Sequence, residues 1–145
     1  MALVKLSPDE ITEFLQSTSP ALLGVVGTLS SDGYPHLVPV WYRYDGERIH
    51  IWTLEGRAWV KNIARDDRAA FSVQEEHLAS RGVSLRGRAA SVTSDSEAVS
   101  HEIRHITRRY VEATEVENYI RRWMHLRTIV TLAPEKISGW RDDGN

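Results

Sequence analysis

The sequence predicts a mainly β protein with flanking α-helices, organised round a six-stranded antiparallel barrel. Two observations carry that reading. Short segments rich in β-branched and aromatic residues follow one another through residues 21–53, separated by SSDG and DG, which are hairpin-turn chemistry. Helix-like segments come late instead of alternating regularly with strands, which argues against a doubly wound parallel sheet. No repeat, low-complexity segment or interdomain linker interrupts the 145 residues, so residues 1–145 are expected to form one domain.

The elements follow in order. LSPDEITEFLQS opens as a helix, with Ser7 as N-cap, Pro8 at the first helical position and Glu10 completing a capping box. Ile11, Phe14 and Leu15 then share one face. Residues 21–29, 35–44 and 47–53 read as strands joined by tight turns, and residues 57–67 as a short helix. Residues 68–74 and 82–94 are further strands, the second with Gly87 where a barrel strand bends sharply. Two helical stretches follow, one after Ser96 and one at residues 116–126, before a last strand at 127–133.

Composition narrows the function classes. The formal charge of −2 demands neither nucleic acid nor an anionic membrane as partner. With no cysteine, disulfides, thiol catalysis and iron–sulfur ligation are excluded. The N-terminus reaches acidic residues too early for a secretory signal, and the longest apolar run, ALLGVVG, is far short of the roughly 20 residues that span a bilayer. A cytoplasmic location is the expectation. No P-loop and no GxGxxG follows a strand. Five tryptophans, Trp41, Trp52, Trp59, Trp123 and Trp140, are available to fill the core or to wall a site for a flat ligand.

HEIRH, at residues 101–105, matches the zinc-protease pattern HExxH. The match is read as coincidental. Val99, Ile103, Ile106 and Tyr110 form the apolar stripe of this helix, and the two histidines lie nearly opposite it. No third ligand follows, and Arg104, Arg108 and Arg109 would oppose a dication. No metal is expected.

Residues 27–74 carry more information. GTLSSDG, PHLVPV, the hairpin YDGERIHIWT and GRAWVKNIARDDRA occur there in that order, and IVTLAPEKISGW follows near the end. Together they resemble the pyridoxamine-5′-phosphate-oxidase-like split β-barrels, and within them the flavin/deazaflavin oxidoreductases that use coenzyme F420. The resemblance implies a homodimer with two sites at its interface. It also implies a cofactor ring laid along one strand, flanked by His36, Leu37, Val38, Pro39 and Val40 and by Trp52 and Thr53. Independently, Pro39 deletes one ladder donor, which places it at an edge or a break in pairing.

Arg57 and Lys61 lie one turn apart on the short helix and suit a phosphate or carboxylate near its N-terminus. The family holds its cofactor's phosphate with basic residues here, so these two are implied in that role, with Trp59 and Asn62 beside them. Trp59 departs from the family, which usually has lysine at that position. Trp140 matches a tryptophan that reaches the partner subunit's cofactor in pyridoxamine oxidases, and an anchor for the C-terminus explains it equally. Tyr42, His36 or His50 are the side chains considered for a proton.

The implied function is oxidoreduction: hydride transfer between a bound flavin-type cofactor, F420 favoured over FMN, and a small organic acceptor. A true pyridoxamine-phosphate oxidase is disfavoured, because the RLHDR-type C-terminal segment is missing from GWRDDGN. The rival is a non-catalytic binder of a flavin, a haem breakdown product or another planar ligand.

Overall fold

The computed structural model describes residues 2–77, 80–94, 97–122 and 127–143. Ser96, Trp123 and the rest of the expected helix beyond Arg122 lie outside the described residues. Strand β1 (Leu3–Lys5) and helix α1 (Pro8–Leu15) open the chain. The capping box forms as expected: Glu10 N–H donates to Ser7 Oγ at 3.2 Å, and Ser7 N–H donates to the Glu10 carboxylate at 3.1 Å. Then come β2 (Gly24–Leu29), β3 (Pro35–Val40), β4 (Tyr42–Tyr44), β5 (Ile49–Leu54), α2 (Ala58–Arg65), β6 (Arg68–Gln74) and β7 (Arg81–Ser94). Helix α3 (Glu97–Tyr110), a 3-10 turn, α4 (Val116–Arg122) and the long β8 (Arg127–Asp142) complete it.

Eight strands form, not six. The added ones are β1, paired with the end of β8, and β4, because the single strand expected over residues 35–44 breaks at Trp41. All pairings are antiparallel, in the order β3-β2-β6-β7-β8-β5-β4. The sheet is therefore open, with β3 and β4 as its two ends; the expectation was a six-stranded split barrel. These end strands are nonetheless consecutive in the chain and joined by Trp41 alone. Two residues span at most about 7 Å, so the sheet curls until its ends meet at that residue. Pro35 and Pro39 are accommodated because β3 is an edge strand, paired only with β2.

Two glycines are required by close approach. A Cβ on Gly87 would sit 2.0 Å from the Ala133 carbonyl oxygen, beside the register shift at Arg86/Gly87. A Cβ on Gly82 would fall inside the Trp140 indole.

The core has two parts. Phe14, Leu15, Val26, Tyr42, Ile51, Phe71 and Leu132 fill the curl of the sheet. Val99, Ile103, Ile106, Val116, Ile120 and Ile129 seal the helical layer onto it, so the stripe expected on α3 is the one buried. Burial of each such side chain contributes roughly 1.5–3 kcal/mol. Arg109 ties the layers together by donating to the Tyr42, Leu15 and Ser17 carbonyl oxygens while lying over the Tyr42 ring at 4.5 Å.

Candidate functional site

Where the two ends of the sheet meet, a cavity of about 660 Å³ opens between β3, β5, the start of α2 and α4. Alternation along β3 decides which side chains reach it, since successive residues point to opposite faces. His36, Val38 and Val40 line it, as does Pro39 at the strand edge. Trp52 and Thr53 of β5 form a second wall, and Arg57 and Trp59 close the α2 side. Eight of the residues singled out from sequence thus converge from three separate elements.

Four do not line it. Leu37 points to the other face of β3 and is 66% exposed. Lys61 is exposed on α2, one turn beyond Arg57. Asn62 lies behind the wall, where its side-chain amide meets Thr28 and His36. Trp140 packs across Gly82, and its strand position pairs with Lys5. That is the anchoring geometry.

Sequence reasoning named Trp41 only among the five tryptophans that could fill the core or wall a site, and it passed over Tyr119. Trp41 is sandwiched between the rings of Tyr110 (4.8 Å, 7°) and Tyr119 (5.0 Å, 30°), and Trp52 meets Tyr119 edge-on at 6.4 Å. The only signal for Trp41 was its being a tryptophan beside PHLVPV. Nothing local marked Tyr119.

The electrostatics are simple. Arg57 is the N-cap residue of α2, and no side chain caps the helix there. Among the described residues neither Arg57 nor Lys61 has a hydrogen-bonding or ionic side-chain partner. Among the described residues the lining contains no carboxylate. An apolar, aromatic-walled cavity with one unpaired cation at its rim suits a planar ligand bearing negative charge at one end. Trp59 is only 3% exposed and belongs to the sheet core as well as the wall. Tyr42 is not available as a proton source. Its ring is fully buried, its hydroxyl donates to the Leu15 carbonyl oxygen at 2.8 Å, and burial pushes its phenol up to about 12 against the pull of Arg109. His50 bridges Thr131 and Asp45, outside the cavity lining.

A second cavity, about 750 Å³, lies on the opposite face of β3, under Leu37. Four cations line it, but Arg88 pairs with Asp67 at 2.6 Å and Arg68 with Asp66 at 2.6 Å. In the HEIRH helix, Glu102 is held by Arg43 in a two-point contact at 2.7 and 2.9 Å. His101 and His105 stand with ring centroids 4.5 Å apart, and burial together with His101 and Arg43 pushes His105 down. Among the described residues no three metal-ligating side chains gather. Nor is any helix there long and apolar enough to cross a membrane.

An open antiparallel sheet with helices over its ends and a cavity at the meeting edges is the architecture of the pyridoxamine-oxidase-like proteins. The family model described as pyridoxamine 5′-phosphate oxidase matches residues 7–141, and the chain belongs to that family. The chain is similar to a conserved hypothetical protein of Mycobacterium tuberculosis, with 28% identity and a TM-score of 0.78 over 94% of this chain and 85% of that one. A FAD-binding protein of Mesorhizobium loti matches at 19% identity and TM-score 0.68, covering 97% of each chain. An F420 reductase matches at 20% identity and TM-score 0.62, over 80% of this chain and 88% of that one. No curated protein matches the chain.

Proposed function

We propose that the protein is an oxidoreductase that binds a flavin-type cofactor in the aromatic cavity and passes a hydride between it and a small organic acceptor. The observation that carries this reading is the convergence of the β3 edge, Trp52, Thr53 and Arg57 on one cavity with no carboxylate among the described residues of its lining. When bound, such a cofactor supplies the hydride chemistry at its ring.

The residues present fit it. Arg57, with the uncapped start of α2, takes the phosphate. Val38, Pro39 and Val40 support the ring from the sheet edge, and the Trp41–Tyr119 stack with Trp52 keeps water from one side. Coenzyme F420 is favoured over FMN because Lys61 continues the cationic line outside the cavity, where a long anionic tail would run.

The working form is a homodimer. The sheet face around Leu37 is the surface that supports it, since Leu37 is exposed beside Gly27 and Ala70, small residues that let another backbone approach.

Titration of the protein with F420 and, separately, with FMN, followed by tryptophan quenching, tests the reading. Micromolar binding of one, about −8 kcal/mol, with faster cofactor reoxidation when an acceptor is added, is the expected result. The rival, a non-catalytic binder of a planar ligand, is favoured by one observation: an indole stands at Trp59 where the resembling oxidoreductases carry lysine. Binding without acceptor-dependent reoxidation would select it.

A further inference from the structure

His36 reaches the cavity from β3, and a partly buried network stands behind it, ending on the exposed Arg65. Arg65 Nη2 donates to Asn62 Oδ1 at 2.9 Å and to the Leu29 carbonyl oxygen at 3.0 Å. Asn62 Nδ2 lies 3.0 Å from Thr28 Oγ1 and 3.4 Å from His36 Nδ1. Asn62 is 6% exposed and Thr28 3%.

The chemistry of these groups fixes their orientation in turn. A guanidinium has donors only, so the Asn62 atom that faces Arg65 is the amide oxygen. The amide NH2 therefore faces Thr28 and His36, and it too can only donate. His36 Nδ1 must then be bare to receive it. A neutral imidazole with Nδ1 bare carries its proton on Nε2. Asn62 is not part of the cavity wall, whereas His36 is, so the ring edge turned away from Asn62 is the one left to face the ligand.

We propose that Arg65 and Asn62 are positioning residues that fix His36 as its Nε2–H tautomer, so that the histidine offers the bound ligand a hydrogen-bond donor. The complementary ligand atom is an acceptor, a carbonyl oxygen or bare ring nitrogen at the edge of a planar heterocycle. Arg57 then selects negative charge at one end of the ligand, and His36 selects an accepting edge on the ring. The identity of the ligand rests on the flavin-type reading above; the tautomer does not.

Two-bond proton–nitrogen correlation spectra of the ¹⁵N-labelled, ligand-free protein read the tautomer directly, at about pH 8 where an ordinary imidazole is neutral. His36→Gln identifies the signals by their disappearance. The expected wild-type result is a protonated Nε2 and a bare Nδ1. Asn62→Asp replaces the donor by an acceptor and is expected to move the proton to Nδ1. A wild-type spectrum with Nδ1 protonated, or with the two tautomers equally populated, overturns the proposal and decides it even if the variant does not fold.

Titration with F420 and with FMN reads the consequence. Asn62→Asp should weaken binding of the cofactor that the wild type takes about tenfold, and His36→Phe, which removes the donor, should weaken it by a similar factor. Unchanged affinity in Asn62→Asp overturns the donor role. If the wild type binds neither FMN nor F420 while His36 shows the Nε2–H signature, the flavin-type reading fails and the tautomer assignment stands.

Discussion

The two faces of β3 hold cavities of similar size and opposite character. On one side, aromatic rings surround a single cation, Arg57, which has no partner among the described residues. On the other, four cations line the wall, but Arg68 and Arg88 are answered at short range by Asp66 and Asp67. Arg86 and Lys136 have no such partner among the described residues, so the count of positive charges favours the second face and the aromatic wall favours the first. A cation already paired with a carboxylate must give up that partner before it can serve an anion, and an exposed pair contributes only about 0–1 kcal/mol in place. The proposed function places the anion at Arg57 because that exposed arginine stands beside aromatic walls and has no carboxylate to give up.

Several variants break or sharpen this contrast. Trp59→Ala strips an indole from both the core and the aromatic wall. It should lower stability by about 3–5 kcal/mol, read by denaturant unfolding, and abolish cofactor quenching at temperatures where the variant stays folded. Arg57→Ala should weaken cofactor binding by about 1.5–3 kcal/mol, whereas Arg86→Ala in the second cavity should leave it unchanged. Equal losses from the two variants would erase the distinction between the faces. Leu37→Glu places a charge on the face assigned to the partner subunit. It should raise the dimer dissociation constant at least about tenfold, seen by light scattering, with cofactor contacts inside each chain retained.

The smallest effect is a control outside both cavities. Burial alone would raise the Asp45 carboxyl, but hydrogen bonds from His50 and from the Arg48 and Glu47 amides hold it at about 2. A carboxyl lowered by folding contributes stability above its unfolded value of about 3.9 and loses it as pH falls toward 2. Asp45→Asn should therefore cost about 1 kcal/mol at pH 7, limited by the partial exposure of the pair. That difference should shrink as urea unfolding is repeated at lower pH, with cofactor affinity unaffected.

Local rules made much of the fold legible, and they failed where distant segments meet. Ser7, Pro8 and Glu10 announced α1 because a capping box needs only four adjacent residues. The hairpin turns and the stripe on α3 were readable for the same reason. The break at Trp41 was not, because residues 35–44 read as one run, and Pro39 inside it allowed an edge strand as readily as a break in pairing. Assigning all of residues 36–40 to one ring overlooked the two-residue period that turns Leu37 away. Asn62 was associated with the site from its neighbours on α2, but its contacts run 26 and 34 residues back to His36 and Thr28. Tyr119 reaches the cavity through the packing of α4, which no residue near it in the sequence announces.

The crossing at Trp41 also has a mechanical meaning. Every hydrogen-bonded ladder runs along the sheet, and none spans from β3 to β4. A chain cut at Trp41 would leave all the ladders intact and free the sheet to open like an unbuttoned cuff. The button is the indole itself, pressed between Tyr110 and Tyr119 of the helical layer. Trp41 and Tyr119 both belong to the cavity wall, so a disturbance that lifts α4 shifts part of that wall without breaking one strand pairing.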